Sequence, residues 1–380
     1  MRILADENIT RVRECFESYG EVVTVAGRTI TPEMLRDFDV LLVRSVTRVD
    51  ASLLAKSHCR FVGTATSGID HIDVDALQAA GIKLAWARGC NAISVVDYVF
   101  SALAALSLSS GVDWLTRSFG IVGCGQIGSA LARRLVALGA PVKIYDPFLP
   151  ESHEMAGHFR SFEEVLEQDI ISLHVPLTCD GPFPTFHMMD ANALAHIGDA
   201  AVLINAARGA VIDNKLLQKW LQDRPQQQVV LDAWEHEPGI ALELLPRVNL
   251  GTPHIAGYSQ QGKLQGTHMV LESFCEHFGL SLPATPDSLI SEKKLLEPIK
   301  TEDAALQLNQ LLLAAYDIRK DHAAMLTLSS STAHATDFDL LRKRYPVRHE
   351  FSRFVVPGAT LLPSAARAAT ALGFGIADQS

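Results

Sequence analysis

Short apolar runs, each followed by an amphipathic stretch, set the rhythm of the first ninety positions. RILAD, EVVTVAG, DVLLVRS, RFVGTAT and IKLAWA alternate with ITRVRECFESYG, TPEMLRDF, DASLLAKS and HIDVDALQAAG. The alternation predicts a parallel sheet of βα units, because strands covered on both faces read as continuous apolar runs and amphipathic helices do the covering. From about Ala92 to Ser109 the chain is apolar on nearly every side, which predicts a helix buried between two domains. The rhythm restarts at Arg117, where SFGIVG, PVKIYD, DIISLHV, AVLINA, QVVLDA and VNLGT read as six strands separated by helical patterns such as SALARRLVALG and NKLLQKWLQD. After His254 the pattern is helical to about Leu280, and SLPATPDSL reads as a linker. The remaining residues predict a helix around Ala304 to Asp321 and strands at HAAMLTLSS and RFVVPGATL.

Composition narrows the partners. With 48% hydrophobic and 20% charged residues, the 380-residue chain has ample material for packed cores. Its 33 basic and 43 acidic residues leave a formal charge of −10, which opposes attraction to nucleic acid or to an anionic membrane, so neither is expected as a partner. The longest strongly apolar run, around Tyr98 to Leu108, falls short of the roughly 20 residues a membrane span needs, and the amino terminus reaches charge within two residues; neither a span nor a signal segment is expected. Six scattered cysteines without a CxxC pair fit neither a disulfide framework nor a zinc site, and the histidines show no ligand spacing such as HExxH, so no metal is expected and a reducing cytoplasm fits best.

The first chemistry-bearing motif is GCGQIG, with Gly123, Gly125 and Gly128 between a strand ending at Val122 and the helical pattern SALARRLVALG. In that setting the first glycine permits the tight turn, the second lets backbone approach a pyrophosphate, and the third lets helix pack on strand; the helix amino terminus then faces the anion. Asp146 closes the next strand, where a carboxylate accepts hydrogen bonds from a ribose diol and repels a 2′-phosphate, so NAD is expected over NADP. Cys124 inside the loop reads as a small buried residue. With this loop the expected fold is α/β, with two doubly wound, Rossmann-like parallel-sheet domains separated by a cleft and a small α+β carboxyl-terminal domain.

Three ionisable residues follow at the ends of successive predicted strands: Arg208 in INAARG, Glu237 in LDAWEHEP and His254 in LGTPHIAG. Oxidising a hydroxy acid needs a base for the hydroxyl proton, a cation for the carboxylate, and a group that orients the base and balances its charge. Histidine, arginine and glutamate suit those tasks. On chemistry alone Glu235 or His236 could stand in place of Glu237.

These segments, in this order, resemble the D-isomer-specific 2-hydroxyacid dehydrogenases over roughly the first 280 residues. The resemblance rests on GCGQIG, NAARG, DAWEHEP with Glu immediately before Pro, and TPHIAG. It implies His254 as proton donor and acceptor, Glu237 as its partner and Arg208 as the clamp on the substrate carboxylate. It implies Gln126, Ile127, Val175, Ala206 and Gly257 beside the glycines and Asp146 in the cofactor site, with Asp232 near the nicotinamide carboxamide. It also implies a discontinuous substrate domain, 1–93 with 255–285, around an NAD-binding domain at 94–254.

For the substrate, LLVRSVTRVD and VGTATSGIDHID place Ser45, Thr47, Thr66, Ser67 and Gly68 at predicted strand ends, with Arg44 and Arg48 nearby, a set suited to carboxylate or phosphate. A narrower resemblance within the family, carried by VRSVT, TATSGIDHID, the Tyr258 after HIAG and the extra carboxyl-terminal hundred residues, implies a small phosphorylated hydroxy acid as substrate, with Ser45, Thr66 and Tyr258 binding it. D-3-phosphoglycerate or another D-2-hydroxy acid remains open, as does a nucleotide-sensing role like that of the family's corepressor relatives. Residues 286–380 are expected to form a dimerisation domain, because AALQLNQLLLAAY is apolar over more than one stripe and must bury two faces or meet a partner chain. The basic run LRKRYPVR, with Arg342, Lys343, Arg344 and Arg348, reads as a solvated face, with approach to a partner's phosphate site as the other reading.

Overall fold

The structure, a computed structural model, describes residues 1–111, 113–283 and 293–377. They form two compact units, 1–91 with 258–283 and 92–257 with 293–377. The expected linker SLPATPDSL lies mostly outside the described residues, and the expected domain border at 286 lies wholly outside them.

In the first unit, strands Arg2–Asp6 (β1), Glu21–Val25 (β2), Val40–Val43 (β3), Phe61–Thr64 (β4) and Lys83–Trp86 (β5) make a parallel sheet in the order β2-β1-β3-β4-β5. All five correspond to the apolar runs of the sequence. β3 and β4 are buried along their whole length, as strands covered on both faces must be. One covering layer includes the helix Gln260–Phe278, whose Phe274 ring meets Phe16 and Phe61 edge-on at centroid distances of 5.3 and 5.7 Å.

The second unit holds Phe119–Val122 (β6), Val142–Tyr145 (β7), Ile170–Leu173 (β8), Val202–Asn205 (β9), Gln228–Leu231 (β10) and Leu250–Gly251 (β11), all parallel, in the order β11-β10-β9-β8-β6-β7. The chain runs from β6 outward to β7 and then crosses back to β8, so the strand order reverses between β6 and β8. In such sheets ligands bind off the carboxyl ends of the strands at that reversal. The helix Ala92–Ser110 is long and apolar enough to span a membrane, yet most of it is packed inside this unit as a core helix. Its buried polar side chains include Asp97, which accepts from Arg134 and from the Phe351 amide at 2.8 Å, and Tyr98.

The carboxyl-terminal residues add a small parallel sheet, Lys294–Leu295 (β12), Phe354–Pro357 (β13) and Gly375–Ala377 (β14), with helices around it. The strand expected at RFVVPGATL is β13. The strand expected at HAAMLTLSS is instead the end of the helix Ile318–Leu326 and the 3-10 turn after it. Its buried residues, Ile318, Met325 and Leu328, recur at helical rather than alternating spacing, a distinction that so short an apolar run hides. The helix expected over Ala304 to Asp321 is two helices, Ala304–Ala315 and Ile318–Leu326, broken where Tyr316 turns extended and the Asp317 side chain caps the second.

The stripes of Ala304–Ala315 are covered by the chain itself, against Ala92–Ser110 and Pro363–Ala371. Met325, Leu328 and Phe338 enter the same core as Trp234, Leu244 and Leu245 of the six-stranded layer. The basic run is likewise not a solvated face throughout: Arg348 is only 6% exposed and buried in its own chain.

Candidate active site

The glycine loop joins β6 to the helix Gln126–Ala137. Gly123 adopts φ +90°, and a Cβ on Gly128 would lie 1.9 Å from the Gly123 carbonyl oxygen, so helix and turn close only with glycine at both positions. At Gly125 the reverse holds, since a Cβ there would meet nothing within 4 Å and the space in front of the loop is open. No side chain caps this helix start, which leaves the amides of Gln126 and Ile127 directed at that space with the positive end of the helix dipole behind them. Asp146 accepts from the Cys124 amide at 2.8 Å through Oδ2 and from the Phe148 amide at 3.1 Å through Oδ1. The carboxylate therefore ties the end of β7 to the loop and keeps lone pairs for further donors. An open cradle, an uncapped helix start and a half-exposed carboxylate fit a dinucleotide diphosphate and its ribose. Val175 follows His174 at the end of β8 and packs against Gly123, and Ala206 follows β9. Burial pushes the Cys124 thiol above its ordinary value, away from reactivity.

The loops after β9, β10 and β11 carry the ionisable groups. Arg208 ends the β9 loop, its Nη1 donating to the Ala207 carbonyl at 2.9 Å while its own carbonyl accepts from Asn205. At Gly209 a Cβ would come within 2.0 Å of the Trp234 backbone, so the glycine lets the Arg208 loop lie directly on the loop that bears Glu237. Glu237 Oε1 accepts from the Trp234 amide at 2.6 Å, and Oε2 accepts from His254 Nδ1 at 2.8 Å. Glu235 turns elsewhere, to His187 Nε2 at 2.6 Å and the Asn214 amide at 3.2 Å, while the His236 side chain is 77% exposed. Of the three candidates, Glu237 is thus the one that meets His254.

Burial opposes charge on His254, but the Glu237 carboxylate and its hydrogen bond outweigh it and hold the imidazole above its ordinary value. Burial likewise works against the Glu237 carboxylate, and the His254 ring overrides it, so Glu237 lies below the usual glutamate range. With Nδ1 committed to Glu237 and the side chain about one third exposed, Nε2 is the nitrogen free to exchange a proton.

His254 adopts φ +55°, a backbone state that costs a non-glycine residue roughly 1 to 2 kcal/mol. Asp232, 1% exposed, holds it there: Oδ1 accepts from Thr252 Oγ1 and the Ile255 amide, both at 2.7 Å, and Oδ2 from the Ala256 amide at 2.8 Å. Tyr98 donates to Thr252 in turn, at 2.8 Å. Sequence reasoning missed Tyr98 and Thr252. The hydroxyl of Tyr98 within a mostly apolar, buried helix was the available signal, because a buried phenol needs a partner. Gly257 ends the unit just beyond Ala256.

In the first unit Ser45 lies exposed in the turn after β3. The Thr66 hydroxyl donates to the Gly68 carbonyl at 2.8 Å and meets Thr64 Oγ1 at 2.7 Å, so its hydrogen is spent on the turn while its oxygen stays an acceptor. Thr47, only 4% exposed, donates to the Gly27 carbonyl, and the exposed Arg48 pairs with Asp50. Ser67 accepts from the Gly89 amide. The ring of Tyr258 lies under two cations, Lys263 at 4.7 Å and Arg44 at 5.8 Å from its centroid. Lys263 was not foreseen, since it lies inside a helix with no motif around it. Among the described residues no group of three or more His, Cys, Asp or Glu is arranged to hold a metal ion.

Residues 106–256 match the family described as D-isomer specific 2-hydroxyacid dehydrogenase, NAD binding domain, and residues 294–373 match one described as a domain of unknown function. The chain is 43% identical to erythronate-4-phosphate dehydrogenase of Cellvibrio japonicus, covering 98% of this chain and 99% of that protein. It is 46% identical to the enzyme of the same name from Marinobacter nauticus, covering 94% of each. Among solved structures, NAD+-bound 3-phosphoglycerate dehydrogenase from Entamoeba histolytica shares the fold with a TM-score of 0.63 at 22% identity, covering 75% of this chain and 98% of that one. The likeness in sequence runs through nearly the full length, and the NAD-binding match spans the glycine loop and the loops of Arg208, Glu237 and His254; the chain therefore belongs to the erythronate-4-phosphate dehydrogenases of the D-isomer-specific 2-hydroxyacid dehydrogenase family.

Proposed function

We propose that the protein oxidises the C2 hydroxyl of 4-phospho-D-erythronate to 2-oxo-3-hydroxy-4-phosphobutanoate, as a cytoplasmic homodimer serving vitamin B6 biosynthesis. The observation that carries this reading is the likeness to enzymes of that name along nearly the whole chain, carboxyl-terminal segment included. Bound NAD would supply the hydride acceptor for C2. His254 Nε2 takes the proton of the C2 hydroxyl, and Glu237 balances the imidazolium that forms. The Arg208 guanidinium offers the substrate carboxylate a two-pronged donor. In the domain formed by the first unit, Ser45, the Thr66 oxygen and Tyr258 with its flanking cations, Arg44 and Lys263, suit the remaining hydroxyl and the phosphate.

For the cofactor, Gly123, Gly125, Gln126, Ile127 and Gly128 would cradle the pyrophosphate and Asp146 the ribose diol. Val175, Ala206 and Gly257 would line the site, and Asp232 would use the lone pair that its loop contacts leave on Oδ2. The dimer rests on exposed apolar side chains of the carboxyl-terminal segment, Val347 at 73% and Leu295 at 66% exposure, since the helix Ala304–Ala315 is already covered in its own chain.

A panel of phosphorylated and unphosphorylated 2-hydroxy acids with NAD, followed at the NADH absorbance band, tests the substrate. 4-Phospho-D-erythronate should give the highest kcat/KM; a clear preference for 3-phosphoglycerate or an unphosphorylated acid would refute the assignment, and no turnover with any of them would favour a binding role.

Oxidation needs neutral His254, so kcat/KM should rise with pH through a limb above the ordinary histidine value of 6.5. Glu237→Gln removes the carboxylate that raises that value. The limb should move to lower pH, with a smaller loss of kcat than the ~10²–10⁴-fold that loss of the base costs. An unmoved limb contradicts the pairing. Asp146→Ser should weaken NAD binding and raise the NADP/NAD ratio of kcat/KM, since repulsion of the 2′-phosphate is lost; a constant ratio would leave Asp146 a loop tie only. Light scattering should give about twice the 41.3 kDa chain mass, falling to one chain in a Leu295→Asp, Val347→Asp variant. A wild-type monomer would end the dimer proposal.

A further inference from the structure

The loop that carries His254 is gripped at both ends by the carboxyl-terminal segment. At its start, the Gly251 amide donates to His322 Nδ1 at 3.0 Å, and burial holds His322 below its ordinary value, so the ring stays neutral and its nitrogen can accept. At its end, Arg348 Nη2 donates to the Ala256 carbonyl and to Ser94, both to its hydroxyl and, at 3.3 Å, to its carbonyl. Ser94 Oγ itself donates to the Ala256 carbonyl at 2.9 Å. The Arg348 guanidinium lies 4.4 Å over the Tyr316 ring and is almost wholly buried. A cation this deep is costly to bury, and it is held by carbonyls, a hydroxyl and a ring face rather than by a carboxylate among its hydrogen-bond partners. Between these grips, Met325, Leu328 and Phe338 pack in the core that contains Trp234, whose indole donates to the Thr252 carbonyl at 2.9 Å.

We infer that the segment 293–377, most of which matches a family described as a domain of unknown function, is part of the catalytic scaffold of its own chain, with Arg348 and His322 as positioning residues that fix the loop bearing His254. This rests on the reading of His254 as the base. Neither residue need touch substrate. Each fixes a backbone group within three residues of His254, and displacement of a catalytic group by about 1 Å can cost on the order of 10²-fold in rate. The groups that face His254 electrostatically are Glu237 and Asp232 beside it and Arg342 from the carboxyl-terminal segment, so a loosened loop changes the ring's charge environment as well as its position.

The test uses the full-length enzyme with NAD and 4-phospho-D-erythronate. Arg348→Lys keeps the charge but cannot span the three acceptors or stack as a plane on Tyr316. It should lower kcat by about 10- to 100-fold and shift the limb of the pH profile while NAD affinity holds. Should that variant not fold, His322→Leu, which removes the acceptor for the Gly251 amide, should lower kcat and move the limb, and His322→Asn, which restores an acceptor, should recover both. Folded Arg348→Lys or His322→Leu with wild-type kcat and pH profile, whatever its melting temperature, overturns the inference. His254→Ala serves as the control: its inactivity alongside wild-type-like Arg348→Lys refutes the scaffold role alone, whereas turnover in His254→Ala refutes the reading of the base and the inference with it.

Discussion

The carboxylate of Asp232, buried at the end of β10, is the constraint on which the rest of the site depends. Three donors from residues 252–256 converge on it and, among the described residues, no acceptor does, which favours the ionised form against the burial that pushes its pKa up. Hydrogen bonds to a charged group contribute about 1.5–3 kcal/mol each, enough to hold His254 in a backbone state that no side chain favours. With the loop fixed, His254 meets Glu237, and with Gly209 packed on Trp234 the Arg208 loop is pinned to the same place.

Much of this was legible in the sequence because it follows from local rules. Both parallel sheets announce themselves as apolar runs separated by amphipathic stretches, and the glycine spacing marks the one strand-to-helix turn where helix Gln126–Ala137 closes on Gly123. The choice of Glu237 over Glu235 was not available from chemistry alone. It came from the residue's place before Pro, and the physical reason is long-range: Glu235 is engaged by His187, 48 positions earlier. Contacts of this kind leave no periodic trace. Lys263 beside Tyr258 sits on a helix whose pattern says only that one face is buried, and Arg348 sits in a basic run that reads as surface until Ser94 and Ala256 are brought against it from far along the chain.

The carboxyl-terminal segment shows the same limit at larger scale. Its apolar helix implied two buried faces, and the alternatives of a partner chain and the chain's own core could not be separated by pattern. The fold places Ala92–Ser110 and Pro363–Ala371 against it. HAAMLTLSS failed as a strand because a short apolar run fits either period, and only the layout of Ile318, Met325 and Leu328 on one helical face decides. An added segment that shares its core with the dinucleotide-binding layer and reaches the Ala256 carbonyl is constrained by the same geometry as the chemistry itself.

The central claim is that His254 is a base whose proton affinity is set by Glu237 within a loop tied to Asp232. Titration of the His254 ring by carbon-13 histidine NMR, with its signal assigned by absence from a His254→Asn variant, measures that directly. The account predicts a midpoint above 6.5 for the wild-type ring and proton occupancy of Nδ1 on the neutral side of the titration. A midpoint at or below 6.5, or a neutral ring protonated at Nε2, would contradict it.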